Sequence, residues 1–305
     1  MSEIEELRAH VLRIEEEVAA TRRIAHDTYA LLGARTARPT WTLADGWTLT
    51  HLDSGEPFFV NTRDTTVTPW ILMGGHWETN VEKVLLAYTQ PGMRVADIGA
   101  HMGYYTVKLA RRIGQTGKLL AFEPNPILNE FVYENIKING LWFTVDLRRH
   151  ALGDKRGKGQ LSYSGGNLAQ ATLHESPGAQ TSVEVEIHTL DSVVTAPLDL
   201  VKLDAEGYEP LILKGAKQSI ANNANCALML ELGLARWEQS CPIGDLKPLA
   251  GETKRVFAVT AEGRLQSISY AEIAPFLRTC TFGENYFFFC PDTPAARERI
   301  APLIV

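Results

Sequence analysis

The first part of the chain carries a helical hydrophobic repeat. Apolar residues recur at intervals of three and four, with charged residues between them, at Ile4, Leu7, Val11, Ile14 and Val18. This spacing is typical of a coiled-coil seam, and it continues more weakly to Leu32 before Gly33 and Pro39 end it. The pattern predicts an N-terminal coiled-coil helix in residues 1–36. Its stripe could pack on its own domain, but its narrowness favours a homo-oligomer formed through residues 4–32.

Residues 37–89 have a different pattern. Short alternating runs of Thr, Trp and Val are interrupted by Asp-Gly and Ser-Gly turns, which predicts β-hairpins between residues 40 and 70. Residues 78–88 are amphipathic with helical spacing and end before a Pro-Gly pair. We expect residues 37–89 to form a β-hairpin and helix extension that covers the functional site of the following domain.

From residue 90 onward, apolar strand patterns alternate with amphipathic helix patterns. Strands are expected at 95–98, 119–122, 145–150, 198–204 and 227–232, and helices at 104–112, 127–138 and 210–217. This alternation predicts an α/β domain over residues 90–305, with a parallel sheet and crossover helices. Two late apolar runs, 256–260 and 286–290, predict a hairpin that closes the edge of the sheet. Residues 162–167 are rich in Gly and Ser and predict a loop, either at the mouth of the site or in solvent.

A glycine-rich turn follows the first strand of this domain. Gly99 and Gly103 allow the backbone to turn sharply and to approach a ligand closely, and the helix that follows offers free amide donors. The Gly-x-x-x-Gly spacing differs from the dinucleotide fingerprint. Asp97 would repel a pyrophosphate and suits a cationic, amino-bearing cofactor such as S-adenosylmethionine. Asp97 could instead cap the helix while the glycines only turn the chain.

Further polar residues follow the later strands, at the sheet edge where ligands of such sheets bind. Glu123 is suited to accept hydrogen bonds from ribose hydroxyls, and His150 either flanks an adenine or is an ordinary surface histidine. Asp204 and Glu206 form a carboxylate pair before a glycine, although Asp204 could simply cap the next helix. Glu231 ends an apolar strand, either as a site residue or as an exposed strand tip.

Composition narrows the class of protein. The chain has 305 residues, of which 45% are hydrophobic, and a net charge of −6, which argues against nucleic acid as a partner. The four cysteines have no Cys-x-x-Cys spacing, so we expect reduced core residues and a reducing compartment. An acidic N-terminus and the lack of a run of about 18 apolar residues predict no signal peptide and no membrane span. A cytoplasmic location is therefore the default expectation.

Several motifs together resemble the FkbM-family S-adenosylmethionine-dependent methyltransferases. In order along the chain they are Asp97–Thr106, Glu123-Pro124, Asn135–Asn139, Ala151–Asp154, Leu190–Ser192, Lys202–Glu209 and Leu213–Ala216. The resemblance extends from residue 74 to residue 290. It implies a class I methyltransferase fold, an α/β architecture with a Rossmann-like seven-stranded sheet ending in an antiparallel hairpin. It also implies transfer of a methyl group to a hydroxyl, often on a sugar or a polyketide.

The resemblance and the strand-end residues together define the expected cofactor site. The expected cofactor-binding residues are Glu78, Asp97, Gly99, His101, Gly103, Tyr104, Tyr105, Glu123, Pro124, His150, Ala151 and Asp204. The resemblance alone implies that Trp77 and Glu78 lie near the cofactor. His101 stands where the family usually has Asn, so it is either a ligand of cofactor or substrate or a replacement that makes the same hydrogen bond.

Three carboxylates are the expected catalytic groups. Asp204, Glu206 and Glu231 are candidates for orienting the acceptor hydroxyl and for taking its proton. They could instead hold a divalent metal ion that acidifies the hydroxyl. We do not favour a metal, because no additional Asn or His ligand has a matching spacing.

The expected function is that of an S-adenosylmethionine-dependent O-methyltransferase acting on a hydroxyl of a sugar, glycan or secondary metabolite. A nicotinamide-dependent Rossmann enzyme is disfavoured by the loop spacing and by Asp97. An oligomeric assembly protein with an inactive methyltransferase fold is disfavoured because acids stand at every expected position. Selection of the acceptor is expected to depend on the N-terminal hairpins and on residues 155–180.

Overall fold

The structure is a computed structural model that describes residues 38–43, 45–164, 167–173, 181–279 and 285–305. The predicted coiled-coil helix in residues 1–36, and with it the predicted oligomer contact through residues 4–32, lies outside the described residues. The described part of the chain contains no helix that is long and apolar enough to cross a membrane.

Residues 41–88 form a small antiparallel sheet followed by two helices. The elements are β1 (Trp41–Thr42), β2 (Trp47–His51), β3 (Pro57–Asn61), α1 (Thr68–Gly74) and α2 (Thr79–Tyr88). The strands pair in the order β1-β2-β3, which confirms the predicted hairpins. The hydrophobic pattern did not predict α1. This helix begins because the Asp64 carboxylate accepts the N–H groups of Val67 (2.9 Å) and Thr68 (2.6 Å).

Side chains of a main-domain helix link this small sheet to the main domain. Asn135 accepts a hydrogen bond from the Phe59 N–H (2.6 Å) and donates to the Phe59 carbonyl (3.0 Å), so it extends the hydrogen-bond ladder of β3. Asn135 also donates to the Met102 carbonyl in the glycine-rich turn (2.8 Å). Trp47 stacks on Phe131, with ring centroids 3.7 Å apart. The sheet is thereby linked directly to the backbone of the glycine-rich turn.

The first half of the main domain alternates strands and helices as predicted. Its elements are β4 (Arg94–Ile98), α3 (Tyr104–Ile113), β5 (Lys118–Phe122), α4 (Pro126–Ile138) and β6 (Val145–Arg148). The strand predicted to reach His150 ends at Arg148. Helix α4 begins with a side-chain cap, since Asn125 accepts the N–H of Ile127 (3.0 Å) and Pro126 occupies the first turn.

A second sheet, with four strands in the part of the chain that the structure describes, follows in the middle of the chain. Its elements, with the helix that follows them, are β7 (Ala151–Leu152), β8 (Gly157–Ser164), β9 (Asn167–Thr172), β10 (Thr181–His188) and α5 (Leu190–Val193). The strand order is β7-β10-β8-β9. The predicted loop at residues 162–167 is therefore wrong, apart from residues 165–166, which are not described. Strand β8 pairs with β10 from Gly157 to Tyr163, and this long-range pairing overrides the local Gly and Ser composition.

The second half of the main domain completes the fold. Its elements are β11 (Leu200–Leu203), α6 (Glu209–Lys214), β12 (Ala227–Glu231), α7 (Leu234–Trp237), α8 (Leu246–Ala250), β13 (Arg255–Val259), β14 (Leu265–Ile268), α9 (Tyr270–Leu277), β15 (Tyr286–Cys290) and α10 (Pro294–Ile300). A turn of π-helix, Lys217–Ala221, follows α6 where the sequence predicted a longer helix. Cys226, Cys241 and Cys290 are buried and free, which confirms the expected reduced core residues for these three.

Within the described residues, eight strands form the main sheet, in the order β14-β13-β15-β12-β11-β4-β5-β6. Strands β4, β5, β6, β11 and β12 are parallel, whereas β13, β14 and β15 pair antiparallel. The expected count of seven strands is wrong, because β14 adds an edge strand beyond β13. Its apolar residues are only Leu265 and Ile268, too few for a recognisable strand pattern. The two late apolar runs do pair, with β15 inserted between β12 and β13.

The centre of the main sheet brings β4 and β11 side by side. The other neighbour of β4 in the sheet is β5, and the other neighbour of β11 is β12, so successive strands lie on opposite sides of this pair. Open α/β sheets bind ligands in the crevice outside such a divergence, at the carboxyl ends of the strands. The register places Lys202 directly beside Asp97, and Leu203 beside Ile98. The fold therefore brings together polar residues that are about a hundred positions apart in the chain.

Candidate active site

The first glycine of the turn after β4 lies against the end of β11. Gly99 has a φ of 78°, and a Cβ added there would lie 1.8 Å from the Asp204 carbonyl oxygen. The two strand ends can approach this closely only because residue 99 lacks a side chain. Gly103, with a φ of 88°, then begins α3. The turn thus sets the position of the Asp204 backbone.

Asp97 lies beneath the cavity and not on its wall. Its side chain is fully buried, and Oδ2 accepts a hydrogen bond from Thr106 Oγ1 (2.6 Å) in the first turn of α3. Oδ1 lies 3.9 Å from Lys202 Nζ and has no hydrogen-bond partner among the described residues. Burial raises the pKa of Asp97, while Lys202 opposes this. The bond to Thr106 links Asp97 to the first turn of α3, in agreement with the helix-capping interpretation. The other carboxylate oxygen of Asp97 faces Lys202.

Lys202 is a buried cation that the sequence analysis missed. Its Nζ donates to the Gly99 carbonyl (3.1 Å) and to Asp204 Oδ2 (3.2 Å), and lies 5.2 Å from the ring centroid of Tyr105. Burial disfavours the charge, but Asp204 and Asp97 outweigh burial and raise the pKa of Lys202. The sequence does contain a signal for this residue, because Lys202 lies within an apolar strand. A cation buried there requires anionic partners.

Asp204 is surrounded by hydrogen-bond donors. The Tyr286 hydroxyl lies 2.9 Å from Oδ2, beside Lys202, and Glu231 shares a hydrogen bond with the same carboxylate. Burial opposes ionisation of Asp204, but Lys202 and the bonds from Glu231 and Tyr286 lower its pKa. Burial and the charge of Asp204 raise the pKa of Glu231 well above its ordinary value. The opposite directions of the two pKa shifts favour the ionised form of Asp204 and the protonated form of Glu231.

Tyr286 connects Asp204 to an acid from the N-terminal extension. Oε2 of Glu78 lies 3.0 Å from the Tyr286 hydroxyl and 3.0 Å from the Tyr105 hydroxyl. Burial, followed by the charge of Asp204, raises the pKa of Glu78 to about 7. The sequence analysis missed Tyr286 because an aromatic residue at the start of an apolar strand reads as a core residue.

Glu206 forms an ion pair with Arg236 where the cavity opens. The side chain of Glu206 is 24% exposed and that of Arg236 is 44% exposed. Glu206 is therefore accessible from solvent, whereas the Lys202 side chain, at 3% exposed, is buried. Burial and the charge of Asp204 raise the pKa of Glu206 to about 7, although Arg236 opposes the shift. Arg236 was not predicted as a site residue, because it lies in a short helix that no motif marks.

The loop after β11 is held by Glu209 and not by Asp204. Glu209 Oε1 accepts the N–H groups of Ala205 (2.7 Å) and Gly207 (3.1 Å). Helix α6 has no side-chain cap from the residue before it. The alternative in which Asp204 caps this helix is therefore wrong, and the side chain of Asp204 is directed to the cavity.

Glu123 and His101 form another part of the wall. The two oxygens of Glu123 accept the N–H groups of His101 (2.8 Å) and Asn125 (2.9 Å), and each keeps a second acceptor position. Burial raises the pKa of Glu123 to about 7. Burial also lowers the pKa of His101, whose Nε2 is buried and has no hydrogen-bond partner among the described residues. A neutral imidazole thus presents an unused polar atom at the cavity.

One region of the cavity is mainly apolar. Its lining side chains are Phe122, Pro124, Leu128, Ala151, Leu152, Leu161, Ala171 and Leu173. His150 lies beside them and stacks on His188, with ring centroids 4.2 Å apart. Burial lowers the pKa of His150. Flat apolar surfaces with a stacked ring are suited to an aromatic ligand group.

Three cavity side chains are carried by residues in the left-handed backbone conformation. The φ angles are 42° at Glu78, 53° at His101 and 53° at Glu206. This conformation costs a residue other than Gly about 1 to 2 kcal/mol, so backbone strain is concentrated around the cavity. Asn tolerates the conformation better than most residues, which gives a physical reason for the Asn that the family usually has at position 101.

Most of the residues expected to bind the cofactor or to act in catalysis line this cavity. Those that line it are Glu78, Gly99, His101, Tyr104, Tyr105, Glu123, Pro124, His150, Ala151, Asp204, Glu206 and Glu231. Asp97 and Gly103 do not line it. Lys202, Arg236 and Tyr286 do, although the sequence analysis did not select them. The arrangement can hold a cationic ligand and can accept a proton.

The family comparison and the comparison with curated proteins both point to methyltransferases. The profile described as the methyltransferase FkbM domain matches residues 97–282. Methyltransferase sdnD from Sordaria araneosa is 24% identical over 179 residues, 48% of this chain and 67% of that protein.

Among solved structures, methyltransferase FkbM from Methylobacillus flagellatus KT aligns with a TM-score of 0.43 and 12% identity, over 65% of this chain and 43% of that one. Precorrin-6y C5,15-methyltransferase from Geobacter metallireducens GS-15 aligns with a TM-score of 0.37 and 15% identity, over 59% of this chain and 73% of that one. The chain thus matches less than half the length of the M. flagellatus protein.

Proposed function

Because the chain belongs to the FkbM methyltransferase family, we propose that it is an S-adenosylmethionine-dependent O-methyltransferase acting on a hydroxyl of a sugar, glycan or secondary metabolite. The observation that carries the proposal is an excess of acids in the cavity. The lining carboxyl groups are those of Glu78, Glu123, Asp204, Glu206 and Glu231, against the cations Lys202 and Arg236. S-adenosylmethionine carries an ammonium and a sulfonium, so this excess favours it over a dinucleotide with an anionic pyrophosphate.

The residues present fit such a cofactor. The close approach of Gly99 to the Asp204 carbonyl, which a Cβ would prevent, brings the ends of β4 and β11 together beside the cavity, and both residues line it. Glu123 keeps acceptor positions for ribose hydroxyls, and the apolar region beside His150 suits the adenine. Glu78 and Asp204 would hold the amino-acid part of the cofactor. His101 Nε2 offers one further polar contact.

The directions of the pKa shifts support one of the three candidate bases over the other two. Lys202 and the hydrogen bonds from Glu231 and Tyr286 lower the pKa of Asp204. A carboxylate with a lowered pKa has little tendency to take a proton, so Asp204 is a weak base. Burial and the charge of Asp204 hold the pKa of Glu231 well above its ordinary value, which favours its protonated form and argues against it as the base. Glu206 has a pKa of about 7 and is accessible from solvent, so it is the best-matched general base.

In the proposed reaction the chain aligns the acceptor and moves one proton. When bound, S-adenosylmethionine supplies a methyl group that is already activated by its sulfonium. Asp204 and Glu231 would orient the acceptor hydroxyl, whose proton would pass to Glu206 as the carbon–oxygen bond forms. The methyl carbon–sulfur bond would break in the same displacement, and the demethylated donor would leave as a neutral thioether. Arg236 favours the ionised form of Glu206 and so promotes release of that proton to solvent, which the partial exposure of both side chains allows.

A metal-assisted variant of this reaction has weaker support. Asp204, Glu209 and Glu231 bring carboxylate oxygens within 4.8 Å of one another. However, Glu209 Oε1 already accepts two backbone N–H groups, and Glu231 Oε1 accepts a hydrogen bond from the side-chain amide Nδ2 of Asn285 (2.9 Å). Each of these acids thus has a structural partner already. We propose that activity does not require a divalent ion and resists chelation.

The first test is cofactor binding and methyl transfer. Calorimetry should show binding of S-adenosylmethionine and of its demethylated product, and no binding of NAD. Incubation of the protein with an isotopically labelled methyl donor, followed by mass spectrometry of candidate glycans and metabolites, should show the label on an oxygen. Binding of NAD without binding of the methyl donor would overturn the proposal.

Replacing the proposed base should separate chemistry from binding. We expect Glu206→Gln to lower turnover by about 10² to 10⁴-fold while the affinity for the methyl donor changes little, because an amide cannot take the proton. In the wild type, turnover should rise with pH up to about 7, where Glu206 becomes ionised. Glu238→Gln, an exposed acid next to α7, serves as the matched control. Normal turnover in Glu206→Gln would assign the base elsewhere.

Binding of the methyl donor should release protons. Glu78 and Glu123 each have a pKa of about 7 in the free protein, so both are partly protonated near pH 6.5. A cationic ligand favours their ionised forms, and affinity should therefore increase as pH rises from about 6 to about 7. Calorimetry at one pH in two buffers of different ionisation enthalpy measures the release. Affinity that is constant or falls over this range would contradict the assigned contacts.

A further inference from the structure

Strand β6 is an open edge of the main sheet. It ends the strand order, and β5 is the strand that pairs with it among those the structure describes. Three aromatic side chains lie beside it: Tyr133 is 36% exposed, Trp142 44% and Phe143 84%. Tyr133 and Trp142 contact each other edge to face, with centroids 5.1 Å apart. An exposed edge with an adjoining aromatic patch is unusual for a surface that faces only solvent.

The hydrogen bonds to β5 show which backbone groups of β6 point outward. The carbonyls of Thr144 and Arg148 accept the N–H groups of Leu119 (2.9 Å) and Glu123 (3.1 Å), so they face β5. Alternation along the strand directs the N–H and C=O of Leu147 to the open side. An antiparallel strand centred on Leu147 would therefore form two reciprocal hydrogen bonds there.

The charges of β6 are complementary to themselves in that same register. Asp146 and Arg148 flank Leu147 on one face of the sheet and are 51% and 40% exposed. Antiparallel pairing about Leu147 sets each Asp146 opposite the Arg148 of the second copy. Registers centred on Asp146 or on Arg148 would set like charges opposite one another, which is destabilising.

We propose that this edge is an interface between two copies of the chain, in which β6 pairs antiparallel with its counterpart about a two-fold axis at Leu147. The occupant is a second copy because the sequence Asp146-Leu147-Arg148 complements itself, and a two-fold axis requires that property. The pairing would join two eight-stranded sheets into one. Trp142 and Phe143 lie next to the paired strands and would enlarge the apolar part of the contact.

Charge reversal with rescue tests the register directly. Sedimentation analysis of the full chain over about 1 μM to about 100 μM should show reversible self-association in the wild type. Arg148→Glu should weaken it about tenfold or more, because two ion pairs become two repulsions. The double variant Asp146→Arg/Arg148→Glu should restore association, since the charges are again complementary. Arg297→Glu breaks an exposed ion pair outside this edge and should have no effect.

The outcomes distinguish this interface from association through residues 4–32. If both contacts exist, Arg148→Glu reduces a larger assembly to a smaller one, and the double variant reverses the change. A wild type that stays monomeric, an assembly unaffected by Arg148→Glu, or failure of the double variant to restore association would each overturn the proposal. None of these results depends on methyl transfer, so the proposed function is tested separately.

Discussion

Replacing Lys202 with methionine is expected to reduce turnover by about 10² to 10³-fold, because the ammonium positions and neutralises the acids of the site. Its Nζ donates to the Gly99 carbonyl and to Asp204, and it lies 3.9 Å from the otherwise unpaired oxygen of Asp97. Methionine leaves these carboxylates without a cation, and breaking a buried ion pair in this way costs about 3 to 5 kcal/mol. The midpoint of chemical unfolding and the methyl-transfer rate measure the two effects.

A second buried lysine provides the control for this variant. Lys254 is also buried, but its Nζ donates to the carbonyls of Ile220 (2.7 Å) and Ala250 (2.8 Å) away from the cavity. Lys254→Met should lower stability and leave the affinity for the methyl donor unchanged. Adding Asp97→Asn to Lys202→Met removes one uncompensated charge and should recover part of the lost stability. Normal activity in Lys202→Met would mean that the cation does not organise the site.

Gly99→Ala is expected to abolish most activity through a backbone collision. The new Cβ would lie 1.8 Å from the Asp204 carbonyl oxygen, so β4 and β11 must separate at their carboxyl ends. A displacement of about 1 Å in a catalytic group can lower turnover by about a hundredfold. We expect such a loss, together with weaker binding of the methyl donor, measured by calorimetry and by labelled methyl transfer.

The matched control lies at the other end of the following helix. Gly114 also has a positive φ, of 68°, but a Cβ there would meet nothing within 4 Å. Gly114→Ala therefore introduces backbone strain of about 1 to 3 kcal/mol without the collision, because the φ of 68° and ψ of −170° at this position are adopted almost only by glycine. Stability should fall in both variants, whereas activity should fall only in Gly99→Ala. Equal losses of activity in the two variants would show that strain alone is responsible.

The sequence predicted the order of strands and helices well wherever the hydrophobic pattern was local. Strands β4 and β5 and helices α3 and α4 have bounds within one residue of those expected. Strand β14 and the pair β8 and β9 were missed, because their formation depends on partners distant in the chain. A Gly and Ser-rich segment gives no local signal for a strand that is stabilised by pairing with β10.

The sequence predicted the site residues that follow the ends of strands, but not those that lie within a strand or at its start. Glu123, Asp204 and Glu206 follow strands, and a rule about sheet topology located them. Lys202 and Tyr286 lie within or at the start of strands, and their roles depend on which strands are neighbours. Sheet order is a property of the fold that composition and spacing do not contain. The hydrogen bonds around Asp204 could be recognised only after β15 was found beside β12.

The left-handed conformations of Glu78, His101 and Glu206 have an evolutionary consequence. Glycine would relieve the strain at each position, and it would also delete the group that faces the ligand. Random mutagenesis under selection for heat resistance alone should therefore enrich glycine at these three codons. Selection for methylated product should remove glycine from the same codons. Lineages that lost the reaction but kept the protein would be recognisable by glycine at the same positions.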